Sequence, residues 1–420
     1  MRNADRAAWV ICLSLGVAQP AIAADTPDPE SDVTDWPAKI TQLRREYHDN
    51  PGWSRDREQL AVAYNNYGVS LSNQGLWELA IRQLQEALAL DQENGSFKKN
   101  LANIYLNQGK EAYDGHATIE ALAAVKRALE IDPTLAPAYT LLGEIEYGRQ
   151  QLGEAKAAWQ KSLDLEPDQP ELSKRLSQVT EELPVESKFE RVSQAYFDIR
   201  YQEDLERPVG FDMRDALLQA RREVGSDFAY WPKHKTIVLM YSAEEFRKLR
   251  QETPEWAGGQ FDGKIRVPMP AAKLDQATVR QILFHEYTHA LIQDLAQGRC
   301  PTWLNEGMAE YQGRTQKPGT LDRLKQAHAE GQLIPWPELN DRFSPTMSAE
   351  QATLAYQESY SVVAYVASRY GFWRFRRLLK AFGNGQGWEE AFKEEFNAKP
   401  SRIEQQWREW LPELFQKHPG

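Results

Sequence analysis

Gln281-Ile282-Leu283-Phe284-His285-Glu286-Tyr287-Thr288-His289-Ala290-Leu291 sets two histidines four residues apart around a glutamate, with uncharged neighbours on both sides. The pattern predicts a helix over 275–295, and on a helix positions four apart share a face. Both imidazoles can then point at one ion, at roughly 2.0–2.1 Å if the ion is zinc. Glu286 projects beside that ion and not onto it, where a carboxylate can take a proton from water that the ion has acidified.

A second segment follows, Pro301-Thr302-Trp303-Leu304-Asn305-Glu306-Gly307-Met308-Ala309-Glu310-Tyr311, beginning twelve residues after His289. A catalytic zinc needs three protein ligands and an open position, and this segment offers the missing carboxylate. The two segments together resemble the gluzincin metallopeptidases. Closest among them are the peptidase MA-like domains that follow tetratricopeptide repeats in exported bacterial proteins. The resemblance spans about residues 190–375, and most of its specificity lies in the two short motifs. It implies a thermolysin-like (zincin) mixed α/β domain that binds one Zn2+ per chain and hydrolyses peptide bonds, with Glu286 as general base.

The same resemblance makes Glu306 the third ligand beside His285 and His289. It places Glu310, together with Asn305, behind the ligands, where such groups fix an imidazole's tautomer. Thermolysin-like members carry aspartate where Glu310 stands, and Glu310, on the same helical face, is the alternative third ligand. For the oxyanion, relatives use a tyrosine or histidine from a later helix. Tyr356, Ser359 and Tyr360 share one helical face, and Tyr360 is the first candidate, then Tyr356, against a reading of both as packing tyrosines. Superfamily members also have an edge strand that pairs with extended substrate, which falls here near Gly263-Lys264-Ile265-Arg266-Val267. The Gly-x-Met-Glu-Asn motif of zinc aminopeptidases has no counterpart.

Around these motifs, residues 195–202 and 235–242 alternate or run apolar with β-branched and aromatic side chains and read as strands. A helix is expected over 211–225 and another over 243–252, opened by Ser242 and Glu245 as a capping box. Asp262-Gly263 marks a tight hairpin. Residues 320–415 read as helical, broken at Gly371 and Gly383, with Trp407 and Trp410 as core anchors.

Towards the N-terminus the sequence repeats. Tyr64, Gly68, Ala80 and Ala87 in one unit answer Tyr139, Gly143, Ala155 and Ser162 in another. In the clearest unit Tyr139, Leu142, Gly143, Ala155, Trp159 and Pro167 fall where the tetratricopeptide repeat (TPR) puts its packing residues. Repeats are expected over 61–94, 95–134 and 136–169, with a capping helix over 170–183. The middle unit is the longer one, which suggests an extended turn at Asp114-Gly115. The fold class is therefore α+β: an all-α stack of helical hairpins over 55–183, then the peptidase domain over 190–420, whose C-terminal part is helical.

Residues 1–23 carry two arginines, a short apolar run and Ala21-Ile22-Ala23, and read as a signal peptide cleaved after Ala23 or Ala24, or else retained as an anchor. Residues 24–54 are expected to be a flexible linker, with order from near residue 55. Export implies a bacterial periplasmic or secreted protein without stable membrane insertion after cleavage. Of the two cysteines, Cys12 lies in the apolar run, so Cys300 alone remains and no intramolecular disulfide is expected. A formal net charge of −11 argues against generic nucleic-acid or anionic-lipid binding. The other histidines have no ligand-like spacing. The reading is an exported zinc metallopeptidase acting on protein or peptide, its repeats holding substrate or a protein partner. The alternative is a repeat-based scaffold with a weakly active or structural metal site.

Overall fold

The computed structural model describes residues 7–10, 35–49, 52–202, 207–249, 257–269, 275–343 and 347–418. The chain divides into two compact units, Gly16–Pro184 and Val185–Gly420, the latter taking in strand β1 (Ala7–Val10). The Ala21–Ala23 cleavage box lies outside the described residues, as does Cys12.

The first unit is all helical: α1 (Trp36–Asp49), α2 (Ser54–Ser72), α3 (Trp77–Leu90), α4 (Gly95–Asp114), α5 (Thr118–Ile131), α6 (Ala136–Gly148), α7 (Leu152–Leu165) and α8 (Pro170–Glu186), whose last two residues, Val185 and Glu186, belong to the second unit. The pairs α2/α3, α4/α5 and α6/α7 are three antiparallel hairpins, the count read from the repeats. In each pair a glycine lets the two helices approach. A Cβ on Gly68 would stand 2.3 Å from Leu84, on Gly109 2.9 Å from Val125, and on Gly143 2.2 Å from Trp159.

Two expectations are corrected here. Order begins well before residue 55, because α1 is a helix over Trp36–Asp49 that buries Ile40 and Leu43 against Leu60 and Tyr64 of α2. Proline and acidic residues around it hid this amphipathic stripe. The extra length of the middle repeat is helical, since α4 runs 20 residues where α6 runs 13, and the turn at Gly115 is short.

The second unit is built on a six-stranded mixed sheet of order β1-β5-β6-β4-β3-β2. Its strands are β1, β2 (Glu190–Ser193), β3 (Phe197–Tyr201), β4 (Thr236–Ser242), β5 (Ala257–Phe261) and β6 (Ile265–Met269). The central β3, β4 and β6 run parallel, and β5 returns antiparallel through the hairpin at Gly263, whose φ of 92° suits glycine. The strand carrying Ile265–Val267 is thus internal, not an edge, because β5 flanks it on one side and β4 on the other. On its other side β5 pairs in parallel with β1, which forms that edge of the sheet. β2, too short and polar to stand out in the sequence, closes the opposite edge.

Fixing β6 at its centre, Arg266 is fully buried and ion-paired to Glu186 at 2.7 Å and Asp262 at 3.0 Å. The helices are α9 (Arg207–Phe228), α10 (Ala243–Leu249), α11 (Gln276–Ala296), α12 (Thr302–Arg314), α13 (Asp322–Glu330), α14 (Trp336–Leu339), α15 (Ala349–Tyr370), α16 (Arg374–Gly383), α17 (Trp388–Phe396) and α18 (Pro400–Lys417). α9 and α11 pack on the sheet through Leu217, Val224, Leu283, Phe284 and Tyr287. α11 starts where Asp275 accepts the Thr278 N–H at 2.9 Å, and α10 where Ser242 accepts the Glu245 N–H at 3.2 Å. α15 opens with a full capping box of Ser348 and Gln351.

Behind α12 lies an aromatic core in which Trp336 is tilted against Trp303 at 5.8 Å and against Trp407 at 5.9 Å. Trp407 also donates to Ser361 Oγ at 3.0 Å, tying α18 to α15. Trp410 is only half-buried, against Tyr365, so of the two expected anchors Trp407 is the core residue.

The hairpin contacts predict a sharp contrast. Gly143→Ala, which drives a methyl into Trp159, is expected to cost about 1–3 kcal/mol. Gly153→Ala on α7 meets nothing within 4 Å and gains helix propensity, so it should be neutral or stabilising. Calorimetry of the two variants checks this, and equal midpoints would contradict the packing described.

Candidate metal centre

The helical pitch of α11 brings His285 and His289 onto one face, with ring centroids 4.7 Å apart and both side chains buried. α12 crosses this face and carries Glu306 between them: its Oε2 lies 3.4 Å from His285 Nε2 and 3.6 Å from His289 Nε2. The ligand atoms of these three residues all lie within 4.8 Å of one another. α12 can sit this close because α15 approaches it across a glycine. A Cβ on Gly307 would be 2.5 Å from the Ser359 carbonyl oxygen.

The far nitrogens of both rings are engaged from α12. His289 Nδ1 is 2.9 Å from Asn305 Oδ1, and since an amide oxygen only accepts, the proton sits on Nδ1 and leaves Nε2 a lone pair. His285 Nδ1 faces Glu310 Oε1 at 3.4 Å. Glu310 is therefore behind His285 and outside the group of three converging donors, which speaks against it as the third ligand. Both Nε2 atoms are buried without a hydrogen-bond partner, as are both carboxylate oxygens of Glu286. Such groups are costly to leave unpaired, and two imidazole lone pairs converging with a carboxylate is the donor set of a divalent ion. The residues present fit a metal.

Charges follow from burial. Burial pushes Glu286 up to about 8, with Glu306 adding to the rise against His285. Burial works against a charge on His285 too, but Glu306 and Glu310 outweigh it and raise this imidazole to about 10. His289, buried and beside His285, is held well below the usual histidine range. Glu310 is ionised to about 2, because Arg314 and His285 overcome the cost of its burial.

The tyrosines sort differently from the sequence reading. Tyr360 lies stacked on Tyr311 with the Arg314 guanidinium 4.6 Å from its ring centre, a packing role. Tyr356, one turn earlier, is fully enclosed. Burial raises its hydroxyl well above the usual range, followed by the charges of Glu306, Glu310 and Glu286 and a hydrogen bond with Glu306. Tyr356 is thus the tyrosine that meets Glu306, while Tyr360, the first candidate from the sequence, lies one turn on against Tyr311 and Arg314. Sharing a helical face does not say which turn of α15 meets the ligands, and the sequence had no further signal for it. Arg314, whose Nε donates to Glu310 Oε2 at 2.9 Å, was missed altogether, although it follows Glu310 by one helical turn. Cys300 is half-buried, its thiol turned to the Pro301 carbonyl at 3.6 Å.

A fold with a metal-type donor set on adjacent helices, preceded by helical hairpins, defines a class, and comparison with known families gives it a name. Residues 229–413 match the Peptidase MA superfamily and residues 59–134 match the tetratricopeptide repeat. The chain carries a Peptidase MA superfamily domain, of a generally metal-dependent superfamily, preceded by TPR repeats: a peptidase-like enzyme with a protein-interaction region. No curated protein matches the chain. Among solved structures it is similar to a thermophilic TPR protein in Thermus thermophilus, at 21% identity over 35% of this chain and 74% of that one. The TM-score is 0.20, so the repeats rest on the sequence match and on the hairpins themselves.

The shifts predict how stability depends on pH in chelator. Glu286 is raised from 4.5 to about 8 and His285 from 6.5 to about 10, so the folded state binds more protons than the unfolded one. Stability therefore falls as pH rises from about 5 to about 10. Glu286→Gln should make the fall below about 8 shallower and leave the upper part, as read from thermal midpoints; His285, and Glu358, which burial also raises to about 8, keep part of the fall in the variant. An unchanged slope in that variant would show that Glu286 is not the group responsible.

Proposed function

We propose that the second unit is an exported zinc metallopeptidase of the gluzincin type, with His285, His289 and Glu306 as ligands and Glu286 as general base. The observation that carries this reading is the convergence of two unpaired, buried Nε2 atoms on the Glu306 carboxylate, with the Glu286 carboxylate buried beside them. Zinc at these donors supplies Lewis-acid polarisation of a substrate carbonyl and makes water nucleophilic at neutral pH. Glu286 accepts the proton of the attacking water at a carboxylate oxygen and returns it to the leaving amine. Its burial keeps it basic and out of competition with bulk water. Tyr356, whose hydroxyl is hydrogen-bonded to Glu306, is the phenol assigned to donate to the oxygen that gains charge as the carbonyl is attacked. Asn305 and Glu310 hold the two imidazoles by Nδ1 and so keep Nε2 turned inward.

Export is proposed from the N-terminal charge and apolar run, with the periplasm or the exterior as destination; cleavage after Ala23 would remove β1 and leave β5 as that edge of the sheet. The three hairpins serve protein binding, and the simplest partner is the protein that the second unit cuts.

Metal content and cleavage of unfolded protein and peptide libraries test the reading. Wild type is expected to hold about one zinc per chain. Glu286→Gln should keep the metal and lose about 10²–10⁴-fold in kcat, while His289→Ala loses metal and activity together. Tyr356→Phe is expected to lose about 10²–10³-fold in kcat, with Tyr360→Phe close to wild type. A wild-type protein that holds zinc but cleaves nothing in these libraries would favour a scaffold with a structural metal. One that holds no zinc would remove the site.

A further inference from the structure

The two histidines of the centre are held from behind by different chemistry. His289 meets a neutral amide, Asn305, whereas His285 meets Glu310, whose second oxygen accepts from Arg314 Nε at 2.9 Å. The Arg314 side chain is 9% exposed and is gripped on two further sides. Its Nη1 donates to the Thr320 carbonyl at 3.3 Å, and its guanidinium carbon lies 4.6 Å from the centre of the Tyr360 ring. Thr320 is held in turn by Gln357 of α15, whose Nε2 donates to the same carbonyl at 3.0 Å. A planar fork fixed by a carbonyl and a ring can offer its remaining N–H groups in only one direction, here onto Glu310.

Charge makes the same point. Glu286, Glu306 and Glu310 are buried together, and Arg314 is ion-paired to the outermost of them, Glu310. Ionised, this set carries a net charge of about −2, which one divalent ion neutralises, and an uncompensated buried charge is strongly unfavourable. Without the guanidinium, Glu310 would lose both its charge partner and the contact that turns its Oε1 towards His285.

We infer that Arg314 is a positioning residue for the metal centre: it holds Glu310 in the orientation that fixes the proton on His285 Nδ1 and aims His285 Nε2 at the ion. The inference rests on the reading of His285, His289 and Glu306 as zinc ligands. Arg314 acts on affinity through His285 alone, since His289 is held by Asn305.

The test is the zinc dissociation constant of the full chain, by competition with a chromophoric chelator, together with the visible spectrum of the cobalt-substituted protein. Arg314→Gln should bind zinc about 10–100-fold more weakly, and Arg314→Lys, which keeps the charge but not the fork, should lose less. In a Glu310→Gln background, neither Arg314→Gln nor Arg314→Lys should weaken binding further, because the arginine acts through that carboxylate. The cobalt spectra of Arg314→Gln and Glu310→Gln should be displaced alike. If Arg314→Gln does not fold, Arg314→Lys carries the same non-additivity test. Zinc binding within about two-fold of wild type, or losses that multiply in the double variant, would overturn the inference. Wild type that binds no zinc would instead overturn the ligand assignment beneath it.

Discussion

Buried charge is the constraint on which the second unit depends. Three carboxylates and two imidazoles lie on α11 and α12 in a space closed by α15, and most of them are fully buried. No folded protein tolerates such a set unless each member has a partner. The chain supplies partners for the outer members: Asn305 for His289, Arg314 for Glu310, and Glu310 for His285. The inner members, both Nε2 atoms and Glu286, have no hydrogen-bond partner among the described residues, and the Nε2 atoms face only the Glu306 carboxylate, at 3.4 and 3.6 Å. The rest of the unit makes this arrangement possible. The sheet fixes α11, Gly307 lets α15 close on α12, and the tryptophan core under α12 holds that helix from behind.

Much of this was legible in the sequence, for identifiable reasons. The HExxH spacing and the Glu306 and Glu310 spacing are helical periodicities, and helical periodicity survives into structure with little dependence on context. The same holds for the repeat offsets from Gly68 to Ala80 and from Gly143 to Ala155, since a glycine facing a small residue is a demand made by two helices in contact. What the sequence did not reveal depended on context between elements. Which turn of α15 faces Glu306 is set by how α15 packs, so Tyr356 and Tyr360 could not be separated by spacing. Whether the Ile265–Val267 strand is internal or at an edge depends on where β5 folds back, and local alternation carries no such information. Arg314 was hidden because an arginine four residues after a glutamate is more often a solvated surface pair than a buried one. α1 was hidden because proline and acidic residues around it outweighed a stripe as thin as Ile40 and Leu43.

The first unit follows a simpler rule. Its three hairpins repeat one contact, a glycine against the side chain four residues after the facing alanine, and the identity of that side chain varies from Leu84 to Val125 to Trp159. The close approach is kept while the filling changes, so the fold of the stack is carried by the small residues. The exposed positions are left free to differ, as a protein-binding surface requires.

The central claim is that His285, His289 and Glu306 bind one zinc ion through the two Nε2 atoms and the carboxylate. Its most direct measurement is the anomalous diffraction of crystals of the zinc-loaded protein, recorded on either side of the zinc edge. The account predicts one strong peak bonded to those three residues at about 2.0–2.2 Å, with Glu310 remaining on Nδ1 of His285. A peak bonded to Glu310 instead, or no peak between α11 and α12, would contradict it.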